Sequence, residues 1–143
     1  MPAGLLPDPA TEYGRRVRAR LNGEAVIWLT TVGVDGTPQP NPVWFVWQQP
    51  SSVLVYNRPD AKRLRHIVRS PRVALHLDGN GHGGDIIVLA GDAAMADEPP
   101  PHEQPDYLGK YRASMIRVSG KPEEFSREYP VAIRIDVTSI RGF

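Results

Sequence analysis

At 143 residues and a net charge of +1, the chain has room for a single domain, residues 1–143, burying about two-thirds of its unfolded surface. Such a balance argues against a general nucleic-acid binder, which is usually basic throughout. The absence of cysteine excludes disulfides, thiolate metal sites and a cysteine nucleophile. No run approaches membrane-spanning length. Met1 to Pro7 has neither a basic flank nor a long apolar core, so no signal peptide is expected and a cytoplasmic location is the default.

Asp8-Pro9 reads as a helix cap followed by proline at the first helical position. The helix then runs to about Asn22 and stops at Gly23, with Arg15, Arg16, Arg18 and Arg20 expected on a wet face. Ala25 to Val32 is nearly continuous apolar sequence, a buried strand. Asp35-Gly36 signals a hairpin turn, and Pro38 to Trp47 forms the partner strand. Pro38, Pro40 and Pro42 alternate with Gln39 and Asn41. Alternate amides on a strand point to one side, and proline has none. One side of this stretch therefore cannot donate to a neighbour, so it is an edge or borders a cleft. Beyond it, Val43 to Trp47 regains its amides. There a ligand could bond to the main chain and pack on the aromatics, or Trp44 and Trp47 could fill the core or a subunit contact.

Val53 to Asn57 is a third strand. The segment Arg58 to Arg72 then carries six of the chain's seventeen Lys and Arg against one acid, Asp60. It reads as a helix capped by Asp60. Leu64, Ile67 and Val68 at i, i+3 and i+4 form its buried face, and Pro71 ends it. Lys62, Arg63, Arg65 and Arg69 fall off that face. Two readings stand: a solvated basic face, or a phosphate site in which Lys62 and Arg63 reinforce the unpaired first-turn amides.

Arg72 to Asp78 and Asp85 to Met95 are the next strands. Asp97 to Pro105, acidic and proline-rich, is a loop. Helices follow over about Asp106 to Ile116 and Pro122 to Tyr129. Val131 to Ser139 alternates Val131, Ile133, Ile135 and Val137 with Ala132, Arg134, Asp136 and Thr138, a half-buried strand with a wet face. The fold class is therefore mainly β with helices (α+β), about six antiparallel strands in a small closed barrel with helices over its openings.

Gly79-Asn80-Gly81-His82-Gly83-Gly84 matches GxGxxG in form, but a strand follows it where the dinucleotide mechanism needs a helix. His76, Asp78 and His82 form no convincing metal set. No GxSxG or HExxH is present and no catalytic residue can be assigned, so any reactive group would come with a cofactor.

Taken together, Trp28-Leu29-Thr30-Thr31-Val32-Gly33-Val34-Asp35-Gly36-Thr37-Pro38, Pro42-Val43-Trp44-Phe45, Lys62-Arg63-Leu64-Arg65-His66-Ile67 and Ser70-Pro71-Arg72-Val73-Ala74-Leu75 resemble the pyridoxamine-phosphate-oxidase-like split-barrel flavoproteins. The branch they resemble most is the small deazaflavin (coenzyme F420)-dependent reductases. The likeness spans about residues 12 to 142. It implies a split β-barrel homodimer with the cofactor in a groove at the interface. It implies that the ring lies along Pro42, Val43, Trp44 and Phe45, and that Arg63 and Arg65 hold the phosphate with Lys62 close by. On that reading Tyr56 and Asn57 border the ring, while Tyr107 and Tyr111 contact substrate or simply pack. The family often has Lys, any residue, Arg, Asn where this chain has Arg63-Leu64-Arg65-His66. Arg for Lys keeps the charge and adds bidentate geometry.

A charged hydrogen bond to phosphate contributes roughly 1.5–3 kcal/mol. Two or three could supply about half the free energy of a micromolar complex. The activity implied is hydride transfer from reduced coenzyme F420 to a small organic acceptor. The alternatives are flavin mononucleotide (FMN) in the same fold, or a non-catalytic carrier of a planar anion such as a tetrapyrrole. The length of the basic run tilts the choice to the deazaflavin, which carries a phosphodiester and a carboxylate tail.

Overall fold

The computed structural model describes residues 4–143. The first three residues, part of the stretch examined for a signal peptide, lie outside the described residues. The elements, in order, are α1 (Glu12–Gly23), β1 (Ile27–Val32), β2 (Pro38–Val43), β3 (Val46–Gln48), β4 (Ser52–Asn57), α2 (Lys62–Arg69), β5 (Arg72–His76), β6 (Ile87–Met95), α3 (Pro105–Ser119), α4 (Pro122–Glu128) and β7 (Val131–Gly142).

All pairings are antiparallel, in the order β2-β1-β5-β6-β7-β4-β3. The two edge strands, β2 and β3, are consecutive in the chain and separated only by Trp44 and Phe45. The sheet must therefore curl until its edges meet at that dipeptide. This is a split barrel, closed by chain continuity where the sequence suggests hydrogen-bonded closure. The stretch Pro38 to Trp47 accordingly divides into two strands, making seven in all. A bulge at Ala90/Gly91 in the β6–β7 ladder assists the bend. A Cβ on Gly91 would lie 2.4 Å from the Asp136 carbonyl oxygen, so only glycine allows this approach.

The prolines of β2 behave as their missing amides require. Gly33 N–H donates to the Thr37 carbonyl across the hairpin. Bonded and non-bonded pairs alternate along a ladder, so Pro38, Pro40 and Pro42 fall at non-bonded positions opposite Val32, Thr30 and Trp28. Their nitrogens face the free edge, which offers acceptors and no donors there.

Alternation on β4 and β7 decides the layering. Val53, Val55, Ile133, Ile135 and Val137 point into the barrel, where α1 supplies Val17 and Leu21 and α2 supplies Leu64 and Ile67. Each such side chain, fully buried, contributes roughly 1.5–3 kcal/mol. Leu54, Tyr56 and Ala132 point the other way, against Tyr107, Tyr111 and Met115 of α3 and Phe125 of α4, so the face of β7 expected to be wet is covered by helices at Ala132. Positions 107, 111 and 115 recur every four residues, so they share one helix face.

Several local expectations are corrected. Helix α1 starts at Glu12 with Thr11 as its cap, the Thr11 hydroxyl accepting from Gly14 N–H at 2.9 Å. Asp8 instead closes the preceding turn through Ala10 N–H. Arg16 and Arg20 are not simply wet: both pair with Asp85, at 2.8 and 2.9 Å. Val68 is 75% exposed, because the short α2 buries only the narrow strip of Leu64 and Ile67. Asp60 does not cap α2. The cap position is Ala61, which has no side-chain acceptor.

Candidate functional site

The site grows from the Trp44-Phe45 junction. Phe45 is fully buried in the barrel. Its amide donates to the Tyr111 hydroxyl (2.9 Å), and its carbonyl accepts from Lys110 Nζ (2.8 Å). The Tyr111 hydroxyl has two carbonyls in donating reach, Ala25 at 2.7 Å and Phe45 at 2.9 Å. Burial pushes this phenol up to about 12. Burial also lowers the Lys110 ammonium to about 8, with Glu24 acting in the opposite sense. The junction is thus held from α3 by two residues, and the amide of Phe45 is not free for a ligand. Phe45 does not line the cavity beside it.

Trp44, half-buried, turns to the other side. Its ring stacks on Tyr111 (4.9 Å between centroids) and on Phe125 (5.2 Å), and Phe125 stacks on Tyr129 (4.4 Å). Among these rings lies a cavity of about 270 Å³, lined by Pro42, Val43, Trp44, Tyr56, Arg63, Tyr107, Val118, Phe125 and Tyr129. Tyr56 donates its hydroxyl proton to the Pro99 carbonyl, and burial raises the phenols of Tyr56 and Tyr107 well above the ordinary range.

Arg63 leads out of this cavity. Its Nε donates to Asn57 Oδ1 at 2.6 Å. Asn57 is fully buried, and its amide donates to the Val55 and Val131 carbonyls. With those bonds made, Asn57 is off the cavity wall and holds Arg63 in place. Burial lowers the basicity of Arg63. The same Arg63 lines a second cavity of about 360 Å³, together with Lys62, His66, Ala61, Thr31, Gln39 and Asn41. There the Thr31 hydroxyl and His66 Nδ1 are 2.9 Å apart. Because Ala61 cannot cap, the amides of Lys62 and Arg63 have neither a side-chain nor an intrahelical acceptor. A third recess, lined by Val34, Arg65, His66 and Arg69, adjoins the second at His66.

These residues fit an anionic ligand. No carboxylate lines any of the three recesses, two or three cations line each polar one, and α2 opens with unpaired donors. The first cavity alone is small for a small-molecule site. The second falls in the usual range of roughly 300–1,000 Å³, and Arg63 lines both.

Of the residues predicted from sequence, Pro42, Val43, Trp44, Tyr56 and Arg63 meet in the aromatic cavity, and Lys62 and Arg63 in the basic one. Arg65 lies on another side of α2, so Arg63 and Arg65 do not share a cavity. Tyr107 lines the aromatic cavity; Tyr111 serves the junction. Sequence reasoning missed Val118, Phe125, Tyr129, Thr31, Gln39 and Asn41. The i, i+4 spacing of Phe125 and Tyr129 was an available signal. His76 and Asp78 both serve Trp28, by stacking (6.2 Å) and by accepting from its indole N–H (3.1 Å).

A curled antiparallel barrel with helices over one side and a basic helix beside its edge defines a fold class that the comparisons identify. Residues 14–142 match the family profile described as pyridoxamine 5'-phosphate oxidase, and the chain belongs to that family. No curated protein matches the chain. Among solved structures, it is similar to a candidate pyridoxamine 5'-phosphate oxidase from Listeria innocua, with 19% identity, TM-score 0.65, and 89% of this chain and 94% of that one covered. It is also similar to HutZ, the heme storage protein of Vibrio cholerae, with 13% identity, TM-score 0.65, and 92% and 95% covered. An F420 reductase matches with 20% identity, TM-score 0.61, and 87% and 94% covered. At these identities the likeness is one of fold. No helix among the described residues is long and apolar enough to cross a membrane.

Proposed function

We propose that the chain is a homodimeric oxidoreductase that binds coenzyme F420 and reduces a small organic acceptor. The observation that carries this reading is Arg63, fixed by Asn57 between an aromatic cavity and a cation-lined pocket. A molecule with a flat ring and an anionic tail fits that pair of recesses. When bound, the deazaflavin would supply a hydride. The chain's own part is to bind and orient. Lys62, Arg63 and the first-turn amides of α2 take the phosphate, while Arg65 and Arg69 stand further along for other negative charge. Pro42, Val43 and Trp44 give the ring a wall with few main-chain donors, and the tyrosine-rich side excludes water. Fold likeness to an F420 reductase agrees with this reading.

FMN is the second reading, favoured by the pairing of Lys62 and Arg63 at one pocket, two cations that suffice for the single phosphate FMN carries. Calorimetric titration of purified protein with each cofactor separates the two. F420 is expected to bind more tightly, and a preparation that purifies yellow with bound flavin and ignores added F420 reverses the assignment. Binding of neither, with heme taken up and no turnover over a panel of acceptors, leaves a carrier of a planar anion. Light scattering with and without cofactor measures the dimer.

A further inference from the structure

Three tyrosines line the aromatic cavity and a fourth, Tyr111, stacks behind Trp44, and their hydroxyls are not equivalent. Tyr56 is committed to the Pro99 carbonyl and Tyr111 to Phe45 and Ala25. Tyr107 also lines the cavity with a hydroxyl that bonds to no described residue, but it is 1% exposed and so almost wholly packed by its neighbours. Tyr129 is half-buried, lines the cavity, and its hydroxyl bonds to no described residue. Its ring is nonetheless fixed. Phe125 stacks on it at 4.4 Å with an interplanar angle of 18°, and the Arg58 guanidinium stands over it, 4.7 Å from the centroid. Arg58 is itself tied to Glu128 at 3.6 Å. The guanidinium that lines the cavity is Arg63, whose Nε is taken by Asn57 while its terminal nitrogens have no acceptor among the described residues. Tyr129 and Arg63 line the same cavity, whose other lining residues are apolar apart from the Tyr56 and Tyr107 hydroxyls and the Trp44 indole.

We propose that Tyr129 and Arg63 form an oxyanion-binding pair, which selects a flat conjugated molecule carrying negative charge on an oxygen attached to its ring system. A phenol O–H and a guanidinium N–H in a partly desolvated cavity favour an anion over its neutral acid. The inference rests on the reading that this cavity is the ligand site. It adds which atoms of the chain meet the ligand's charge. The oxyanion could belong to the cofactor ring or to the acceptor, and the test distinguishes them.

The probe is 4-nitrophenol, whose acid and anion have different spectra. Titrating the purified protein on both sides of the probe's own ionisation gives separate affinities for the two forms. About a tenfold preference for the anion is expected, seen as a lowered apparent pKa of the bound probe. Tyr129→Phe should reduce that preference about three- to tenfold while leaving the neutral phenol's affinity unchanged. Arg63→Lys should retain part of it. Tyr13→Phe, at a tyrosine packed against the barrel and outside the cavity, should leave it intact. A general loss of packing would weaken both forms alike, so the preference itself is the diagnostic. Binding without preference for the anion, or a preference that survives Tyr129→Phe in a protein with native circular dichroism, overturns the pair. Repeating the titration with saturating F420 assigns the charge: displacement of the probe puts it on the cofactor ring, and simultaneous binding puts it on the acceptor. A protein that binds the anion through Tyr129 but takes neither F420 nor FMN keeps the pair and ends the cofactor reading. A protein that binds F420 but shows no anion preference ends the pair alone.

Discussion

Strands β4 and β7 have two faces, and the chain treats them differently. Into the barrel they send Val53, Val55, Ile133, Ile135 and Val137, which meet mostly aliphatic side chains with Phe45 and Trp47, and no fully buried member of this cluster is titratable. Against α3 and α4 they send Leu54, Tyr56 and Ala132, which meet a layer rich in tyrosine. Aliphatic side chains interdigitate and close. Large flat rings carrying hydroxyls pack around their polar atoms and leave a cavity among Trp44, Tyr56, Tyr107, Phe125 and Tyr129. One layer therefore gives the fold its stability, while the other trades packing for a cavity with placed polar groups.

If that division is right, the two layers should fail differently. The largest effect belongs to the barrel. Leu89 is fully buried there, and Leu89→Ala is expected to cost about 2–5 kcal/mol in chemical denaturation. Cofactor affinity per folded molecule should stay unchanged, and a parallel loss of affinity would break the comparison. The reverse holds for Lys62→Ala with Arg63→Ala. Loss of two charged contacts should weaken F420 or FMN binding by about a hundredfold, from roughly 1.5 kcal/mol per contact. Unfolding midpoints should move little, since α2 is anchored by Leu64 and Ile67. Arg65→Ala with Arg69→Ala, in a separate recess, should weaken F420 more than FMN, because only F420 has a carboxylate tail to lose.

Tyr111→Phe sharpens the boundary between layers. It removes the hydroxyl that accepts from the buried Phe45 amide and leaves that donor unpaired. The expected loss is about 1–3 kcal/mol. Because Trp44 adjoins the same junction, ligand affinity should fall with it, unlike the barrel variant. Unchanged stability would mean that Lys110 and the ladder hold the junction alone.

The sequence carried much of this layering. Alternation along residues 131–138 placed Ile133, Ile135 and Val137 inside, and the proline pattern marked β2 as an edge, because both signals depend on backbone geometry. The site was legible in part. Lys62 and Arg63 stood out as cations at a helix start, and Pro42, Val43 and Trp44 as a ribbon beside it. What pattern could not supply was direction. Periodicity gave Val68 to the buried face because it cannot say how narrow a strip a two-turn helix covers. Asp60 looked like a cap because residue type does not reveal that the turn ends one residue later. Asn57 resembled a ligand contact, and only its hydrogen bonds show that it serves Arg63. Tyr129 was passed over because its partners, Arg58 and Arg63, lie about seventy residues earlier in the chain.

The smallest effect, and the one that separates the layers by charge alone, is the response to alkali. The ordinary phenol ionises near pH 10, and burial holds Tyr111 up to about 12 in the folded chain, with Tyr56 and Tyr107 shifted the same way. A raised folded-state value contributes stability that is fully present below pH 10 and lost as pH rises through about 12. Lys110 has the opposite sign. Its value, depressed to about 8 from 10.5, means that the unfolded chain binds more protons between those limits. Stability should therefore rise with pH from about 8 toward 10.5, then fall as the phenols ionise. Denaturant titrations from pH 7 to 11 check this directly. Lys110→Met should flatten the rise and Tyr111→Phe should soften the fall. Leu89→Ala, acting in the layer whose fully buried cluster has no titratable member, should lower the whole curve and leave its shape alone. A wild-type curve flat across this range would mean that the tyrosine layer is wetter than its burial implies, and the contrast between the two faces would lose its electrostatic half.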